Sequence, residues 1–82
     1  MKIRVEITRE DIKTGIRKDP CNCPIAKAFK HSTDFIWVEV KPATITFDTG
    51  QGYRFMLLPR KVQKFIEKFD KGMKVKPFTF EV

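Results

Sequence analysis

The sequence predicts a small α+β domain in which helices cover one face of a largely antiparallel sheet of four or five strands. Five short segments alternate apolar and polar residues or are rich in β-branched and aromatic side chains. Three other segments lie between helix capping signals, and two of them repeat apolar residues at helical spacing. Their order is β-α-α-β-β-β-α-β, and 82 residues suffice for one domain only.

The chain begins with a predicted strand and a helix of barely two turns. Residues 2–8 alternate charged side chains with an apolar face formed by Ile3, Val5 and Ile7. Thr8 is suited to be the N-cap of the helix, and Asp11 follows three residues later in a variant of the capping box. Gly15 is expected to end the helix in the left-handed conformation, and residues 16–22 then form a loop.

A second helix and a three-stranded meander occupy the middle of the chain. The helix is predicted to begin near Pro24, whose missing N–H would have no partner in the first turn, and to reach about His31. Three strands follow at residues 35–40, 43–49 and 53–58, which are separated by Lys41-Pro42 and by Gly50-Gln51-Gly52.

The longest helix follows Pro59 and is predicted to end at Gly72. Its apolar residues recur at helical spacing and should face the sheet: Val62, Phe65, Ile66 and Phe69. In the closing segment Phe78, Phe80 and Val82 alternate with polar residues, as in a strand. Because Pro77 has no N–H to donate, this strand should lie at a sheet edge or begin at the proline.

The composition is strongly basic, with 17 Lys and Arg against ten Asp and Glu and a net charge of +7. Such a charge favours partners that carry phosphate groups, although solubility alone would also account for it. No segment approaches the roughly 18 apolar residues of a membrane span. The charged first strand does not resemble the apolar core of a signal peptide, so we expect a cytoplasmic protein without a membrane partner.

The two cysteines, Cys21 and Cys23, do not predict a metal or redox site. Together with His31 they supply too few ligands for a structural zinc, and a disulfide between residues two apart would be strained. A catalytic pair of Cys23 and His31 on one helix would be about 12 Å apart.

Two interpretations of Cys23 remain open. In one, it lies at a helix start whose free N–H groups form an anion site beside Arg17, Lys18 and Lys27. In the other, Cys23 packs in the core and Pro24 begins the helix.

Basic residues recur along one face of the long helix. Arg60, Lys64, Lys68 and Lys71 follow at intervals of four, four and three residues, with Lys61 beside them and Lys74 and Lys76 just beyond the helix. Only Glu67 and Asp70 oppose this charge locally. The face therefore suits either an anionic ligand or simple solvent exposure.

Trp37 is a candidate for stacking on a base. If Ile36, Val38 and Val40 face the helices, then Phe35, Trp37 and Glu39 face the other way. The reverse register would place Trp37 in the core. No phosphate-binding glycine loop, nucleophile elbow or zinc-protease motif is present, so we expect neither catalysis nor a cofactor.

Four stretches, "ITREDIKTG", "CPIAKAF", "LPRKVQKFIEKFD" and "VKPFTFEV", resemble a set of small, poorly characterised bacteriophage proteins. The likeness covers most of the chain, is weakest over residues 32–52, and carries no catalytic residue. It implies a phage-encoded accessory protein that acts in the infected cell, where such proteins bind host factors, nucleic acid or the nucleotide signals of host defence.

These observations favour a non-enzymatic protein that captures a phosphate-bearing nucleotide, such as a cyclic immune signal, at a site between copies of a homo-oligomer. The alternative is DNA or RNA binding along the backbone by Arg60, Lys61, Lys64 and Lys68. A third class is an inhibitor that docks on an acidic host protein.

Overall fold

The computed structural model describes residues 3–82 and confirms the α+β class. Its elements follow the predicted order: β1 (Arg4–Ile7), α1 (Arg9–Thr14), α2 (Pro24–Ser32), β2 (Trp37–Val40), β3 (Thr44–Asp48), β4 (Tyr53–Leu57), α3 (Arg60–Asp70) and β5 (Phe78–Glu81). Lys2, the predicted start of the first strand, lies outside the described residues. Within residues 3–82 no helix has the length and apolar character that crossing a membrane requires.

The strands form two antiparallel sheets instead of the single predicted sheet. One pairs β1 with β5, and the other is the expected meander in the order β2-β3-β4. The outer edge of β2 is covered by the loop between α1 and α2, because the N–H of Val40 donates to the carbonyl of Pro20 at 2.7 Å. The loop thus takes one of the two edges at which another strand could extend this sheet.

One hydrophobic core joins both sheets to the helices. Phe29 of α2 is fully buried and lies between them: its ring centroid is 6.4 Å from that of Phe35, just before β2, and 5.7 Å from that of Phe80 in β5. Val62 of α3 is equally buried, and Phe65 packs against Phe78 with a centroid distance of 5.2 Å. The apolar stripe of the long helix therefore faces inward, as its spacing predicts.

The predicted capping box of α1 is present. The Thr8 hydroxyl accepts from the N–H of Asp11 at 3.1 Å, and Oδ2 of Asp11 accepts from the N–H of Thr8 at 2.9 Å. The buried Asp11 also pairs with His31, whose Nε2 lies 2.8 Å from the same Oδ2. The carboxylate therefore fixes the start of α1 and ties it to the end of α2.

The prediction of a left-handed stop at Gly15 is wrong. Gly15 is extended, with φ −67° and ψ 147°. A Cβ atom there would lie 2.6 Å from the ring carbons Cγ and Cδ of Pro24 and 2.7 Å from the carbonyl oxygen of Asp11. Glycine is required for the close approach of α1 to α2, a constraint that depends on tertiary packing.

The predicted stop at Gly72 is confirmed. Gly72 has φ +80°, its N–H donates to the carbonyl of Phe69 at 3.0 Å, and the N–H of Met73 donates to the carbonyl of Lys68 at 2.9 Å. This pair of bonds is a Schellman motif, which satisfies carbonyls at the helix end and reverses the chain.

Candidate anion-binding groove

A groove of about 510 Å³ lies between α3 and the segment that leads into β5. Five lysines and three apolar residues line it: Lys61, Lys64, Phe65, Lys68, Lys74, Val75, Lys76 and Phe78. This lining contains no carboxylate, histidine or cysteine. We refer to it below as the lysine groove.

The positions of the groove lysines follow from the packing of α3. Because its apolar stripe is buried, Lys61, Lys64 and Lys68 lie along an exposed edge of the helix at spacings of three and four residues. After Gly72 the chain turns back, which brings Lys74 and Lys76 to the other wall of the groove.

The groove lysines have little internal charge compensation. Among residues 3–82 the only carboxylates within 4 Å of a basic side-chain nitrogen are Asp11, beside His31, and Glu67, beside Lys71, so none of the five lysines pairs with a carboxylate. The first turn of α3 contains no acidic residue, and the positive end of the helix dipole adds to the potential of Lys61 and Lys64. The lysine groove is therefore a concentrated positive site.

Lys61 is the one groove lysine with defined contacts among the described residues. Its Nζ donates to the carbonyl of Thr79 at 3.1 Å and lies 5.6 Å from the ring centroid of Phe78. These contacts hold the ammonium at the β5 end of the groove, where it covers the aromatic ring.

Three of the four predicted basic residues of the long helix meet in the groove: Lys61, Lys64 and Lys68. Arg60 is exposed at the helix start and does not belong to the lining. Lys71 turns instead to Glu67, with Nζ 3.0 Å from Oε1, and this hydrogen bond lowers the pKa of the Glu67 carboxyl. The predicted basic face is thus divided between the groove and the solvent.

Lys74, Lys76 and Phe78 line the groove but are not among the site residues that the sequence predicts; Phe78 is predicted only as part of a strand. A local pattern points to these lysines: Lys74 and Lys76 alternate with Val75 directly after the helix stop at Gly72. A segment in this position can fold back along the helix that it follows. Which lysines of α3 they would face depends on the tertiary path of the chain.

The start of α2 is buried in the core. Cys23, Pro24 and Ile25 are buried, and the N–H of Ala26 donates to the Cys23 sulfur at 3.4 Å. The second interpretation of Cys23 is therefore correct: it is a core residue that also caps α2. A pocket of about 230 Å³ opens beside Cys23, and its lining includes the carboxylates of Asp19 and Asp70 as well as Lys18 and Lys41.

The three basic residues of that interpretation do not converge: Lys18 lines the pocket beside Cys23, whereas Arg17 and Lys27 do not. Arg17 approaches the end of α3, since a Cβ on Gly72 would lie 3.1 Å from its Cζ atom. The backbone N–H of Lys18 donates to Asp70 at 3.0 Å, and Lys27 is half-buried on α2. None of the three lines the lysine groove.

Trp37 lies on the exposed face of the three-stranded sheet, since Val38 and Val40 point into the core. Its ring makes an edge contact with Tyr53, with a centroid distance of 5.5 Å. The expectation for Phe35 is wrong: it stacks on the buried Phe47 at 4.3 Å. The alternation of inward and outward side chains in β2 does not extend to the residues before Trp37. Asp48 is the partner of Trp37, yet its carbonyl accepts from the N–H of Ile36, and the side chain of Ile36 is exposed.

The buried sulfur of Cys23 leads to a labelling prediction. Burial raises the pKa of the Cys23 thiol, so at about pH 8 it carries less of the reactive thiolate than an ordinary cysteine. Cys21 is only half-buried. With iodoacetamide, mass spectrometry should show rapid modification of Cys21 in the native protein and modification of Cys23 only after denaturant is added; equal native rates would contradict this placement.

Both cysteines are free thiols, and within residues 3–82 no three His, Cys, Asp or Glu side chains are grouped to hold a metal ion. Comparisons of the chain with protein-family models, with curated proteins and with solved structures find no match.

Proposed function

We propose that this protein is a non-enzymatic binding protein that holds the phosphate groups of a nucleotide in the lysine groove. The observation that carries the proposal is the convergence of five lysines on one cavity whose lining includes no carboxylate. Like charges this close repel one another, and a phosphate-bearing ligand removes that repulsion while accepting charge-assisted hydrogen bonds. The absence of acidic, histidine and thiol groups from the lining favours binding over chemistry.

The size and lining of the groove suit a single nucleotide. About 510 Å³ falls within the range of small-molecule sites, and Val75 and Phe78 offer apolar contact for a base or sugar. The groove is built within one copy of the chain. The resemblance to bacteriophage proteins adds cyclic nucleotide signals of host defence to the candidate ligands, and we include them in the proposal.

The separation of charge from exposed aromatics favours a nucleotide over a single strand of nucleic acid. Trp37 shares its sheet face with Glu39 and Asp48, because Glu39 lies two residues further along β2 and Asp48 pairs directly with Trp37. The groove lysines lie beyond the core, on the outside of α3. A strand that followed those lysines would meet the half-buried Phe78 but would not reach the exposed aromatic face of the sheet, and the carboxylates beside Trp37 would repel its phosphates.

Calorimetric titration with pyrophosphate, linear nucleotides, cyclic nucleotides and random oligonucleotides of about 20–30 nucleotides tests the proposal. At least one small ligand should bind at physiological salt with a shallow salt dependence. Backbone binding to DNA or RNA would instead weaken on the order of a thousandfold between about 50 and 200 mM salt. Tight duplex binding without any nucleotide binding would favour the nucleic-acid alternative.

Substitutions in the groove give the matching prediction. Lys64→Gln combined with Lys68→Gln should weaken pyrophosphate or nucleotide binding about 10- to 100-fold, because each lysine supplies a charged hydrogen bond. The control, Lys30→Gln with Lys41→Gln, removes the same charge from exposed positions on α2 and on the loop before β3, neither of which lines the groove. The control should change affinity by no more than about twofold. Equal losses in the two double variants would show that net charge, and not the groove, governs binding.

A further inference from the structure

The three-stranded sheet leaves the outer edge of β4 bare. The N–H of Leu58 donates to the carbonyl of Ala43 at 2.9 Å and continues the β3–β4 ladder. Because antiparallel bonding alternates along a strand, the N–H and C=O groups of Tyr53, Phe55 and Leu57 point away from β3. No other residue in the described part of the chain bonds to them, whereas the β2 edge is covered at Pro20.

The side chains at this edge are also unprotected. Tyr53, Phe55 and Leu57 are 73, 76 and 73% exposed. Edge strands of soluble proteins are usually protected by lysine, proline or a bulge, yet the only charged residue of β4 is Arg54, on the other face. Lysine and arginine are absent from the outer face of the sheet, although the chain carries a net charge of +7. Two copies of this basic protein can therefore approach each other at this surface without bringing like charges together.

We propose that two copies of this chain associate through their β4 strands, antiparallel about a two-fold axis at Phe55, to form one continuous six-stranded sheet. In this register Phe55 faces the partner's Phe55, and Tyr53 faces the partner's Leu57. All three outward-pointing residues then exchange backbone hydrogen bonds, about six in all. Aromatic and apolar side chains meet across the junction, which is the kind of cross-strand pair that stabilises sheets.

The neighbouring registers are less favourable for identifiable reasons. An axis at Arg54 would place two guanidinium groups directly opposite each other. An axis at Met56 would place Tyr53 opposite Pro59, which has no N–H to donate. The axis at Phe55 avoids both conflicts and uses the full length of β4. The interface does not include the lysine groove, so the dimer and the proposed ligand site are independent.

Sedimentation velocity at submillimolar concentration tests this dimer. The wild-type protein should show a species of twice the 9.6 kDa chain mass. Phe55→Lys and Phe55→Glu each place like charges opposite one another at the axis and should raise the dissociation constant at least about tenfold. Because Phe55 is mostly exposed, both variants should keep the wild-type circular dichroism. An equimolar mixture should associate more tightly than either variant alone, since lysine then faces glutamate.

The matched control is Thr14→Lys, which adds the same charge at an exposed position of α1, outside the sheet, and should leave the dimer within about twofold of wild type. Amide hydrogen exchange supplies a second readout: protection at Tyr53, Phe55 and Leu57 should rise with protein concentration. A monomer at all concentrations with rapid exchange at these amides would overturn the proposal. So would a dimer that is unchanged by Phe55→Lys.

Discussion

Replacing Phe65 with alanine is expected to lower the free energy of unfolding by about 3 to 5 kcal/mol. Phe65 is only 6% exposed, and its ring lies 5.2 Å from that of Phe78 and 6.2 Å from that of Phe69, measured between centroids. The substitution removes the contact that joins α3 to β5 and leaves a cavity. Since small domains are stable by only about 5 to 15 kcal/mol, the loss is a large fraction of the total.

The matched control for Phe65 is its neighbour Lys64, which is exposed. Lys64→Ala should change the free energy of unfolding by less than about 0.5 kcal/mol. Urea or guanidinium denaturation followed by circular dichroism measures both variants. Equal losses at the two positions would mean that α3 presents a different face to the core.

Replacing Gly15 with alanine is the second substitution with a large expected effect, about 1 to 3 kcal/mol of destabilisation. The added methyl group would lie 2.6 Å from two ring carbons of Pro24 and 2.7 Å from the carbonyl oxygen of Asp11, so α1 must move away from α2. The backbone of Gly15 is in an ordinary extended conformation, and the cost therefore comes from packing and not from φ.

A double-mutant cycle separates this contact from other effects of the substitution. Pro24→Ala removes the ring carbons that the new methyl group would meet. The loss caused by Gly15→Ala should therefore be smaller in the Pro24→Ala background than in the wild type, with a coupling energy of at least about 0.5 kcal/mol. Additive losses would show that the contact with Pro24 does not determine the cost.

Local signals in the sequence predicted the elements well, because the groups involved lie within a few residues of one another. Thr8 and Asp11 form their capping box, Pro24 begins α2, and Gly72 ends α3, as predicted. The strands of the meander follow from β-branched and aromatic runs separated by glycine and proline. Strand ends were less predictable: alternation extrapolated from β2 misplaced Phe35, since the strand begins only at Trp37.

The candidate site was predictable only in part. The spacing of Lys61, Lys64 and Lys68 on one helix showed that they share a side of that helix, and all three line the groove. It could not show that Lys74 and Lys76 return to the same cavity, or that Arg17 and Trp37 lie elsewhere. Composition sums charges without regard to position, so the excess of lysine and arginine did not locate the site.

By itself, the sequence determined the helices, the strands, their order and a basic character, because these depend on local hydrogen bonding, side-chain periodicity and residue counts. The tertiary structure decided the sheet arrangement, the need for glycine at position 15 and the location of the groove, because these depend on contacts between distant segments. The strands divide into two sheets, the loop at Pro20 covers the β2 edge of one of them, and the contact with Pro24 makes Gly15 necessary. Burial of the apolar face of α3 directs three lysines to one side, and the reversal at Gly72 adds two more. Such arrangements depend on how segments that are distant in the sequence pack against one another, which local sequence patterns do not determine.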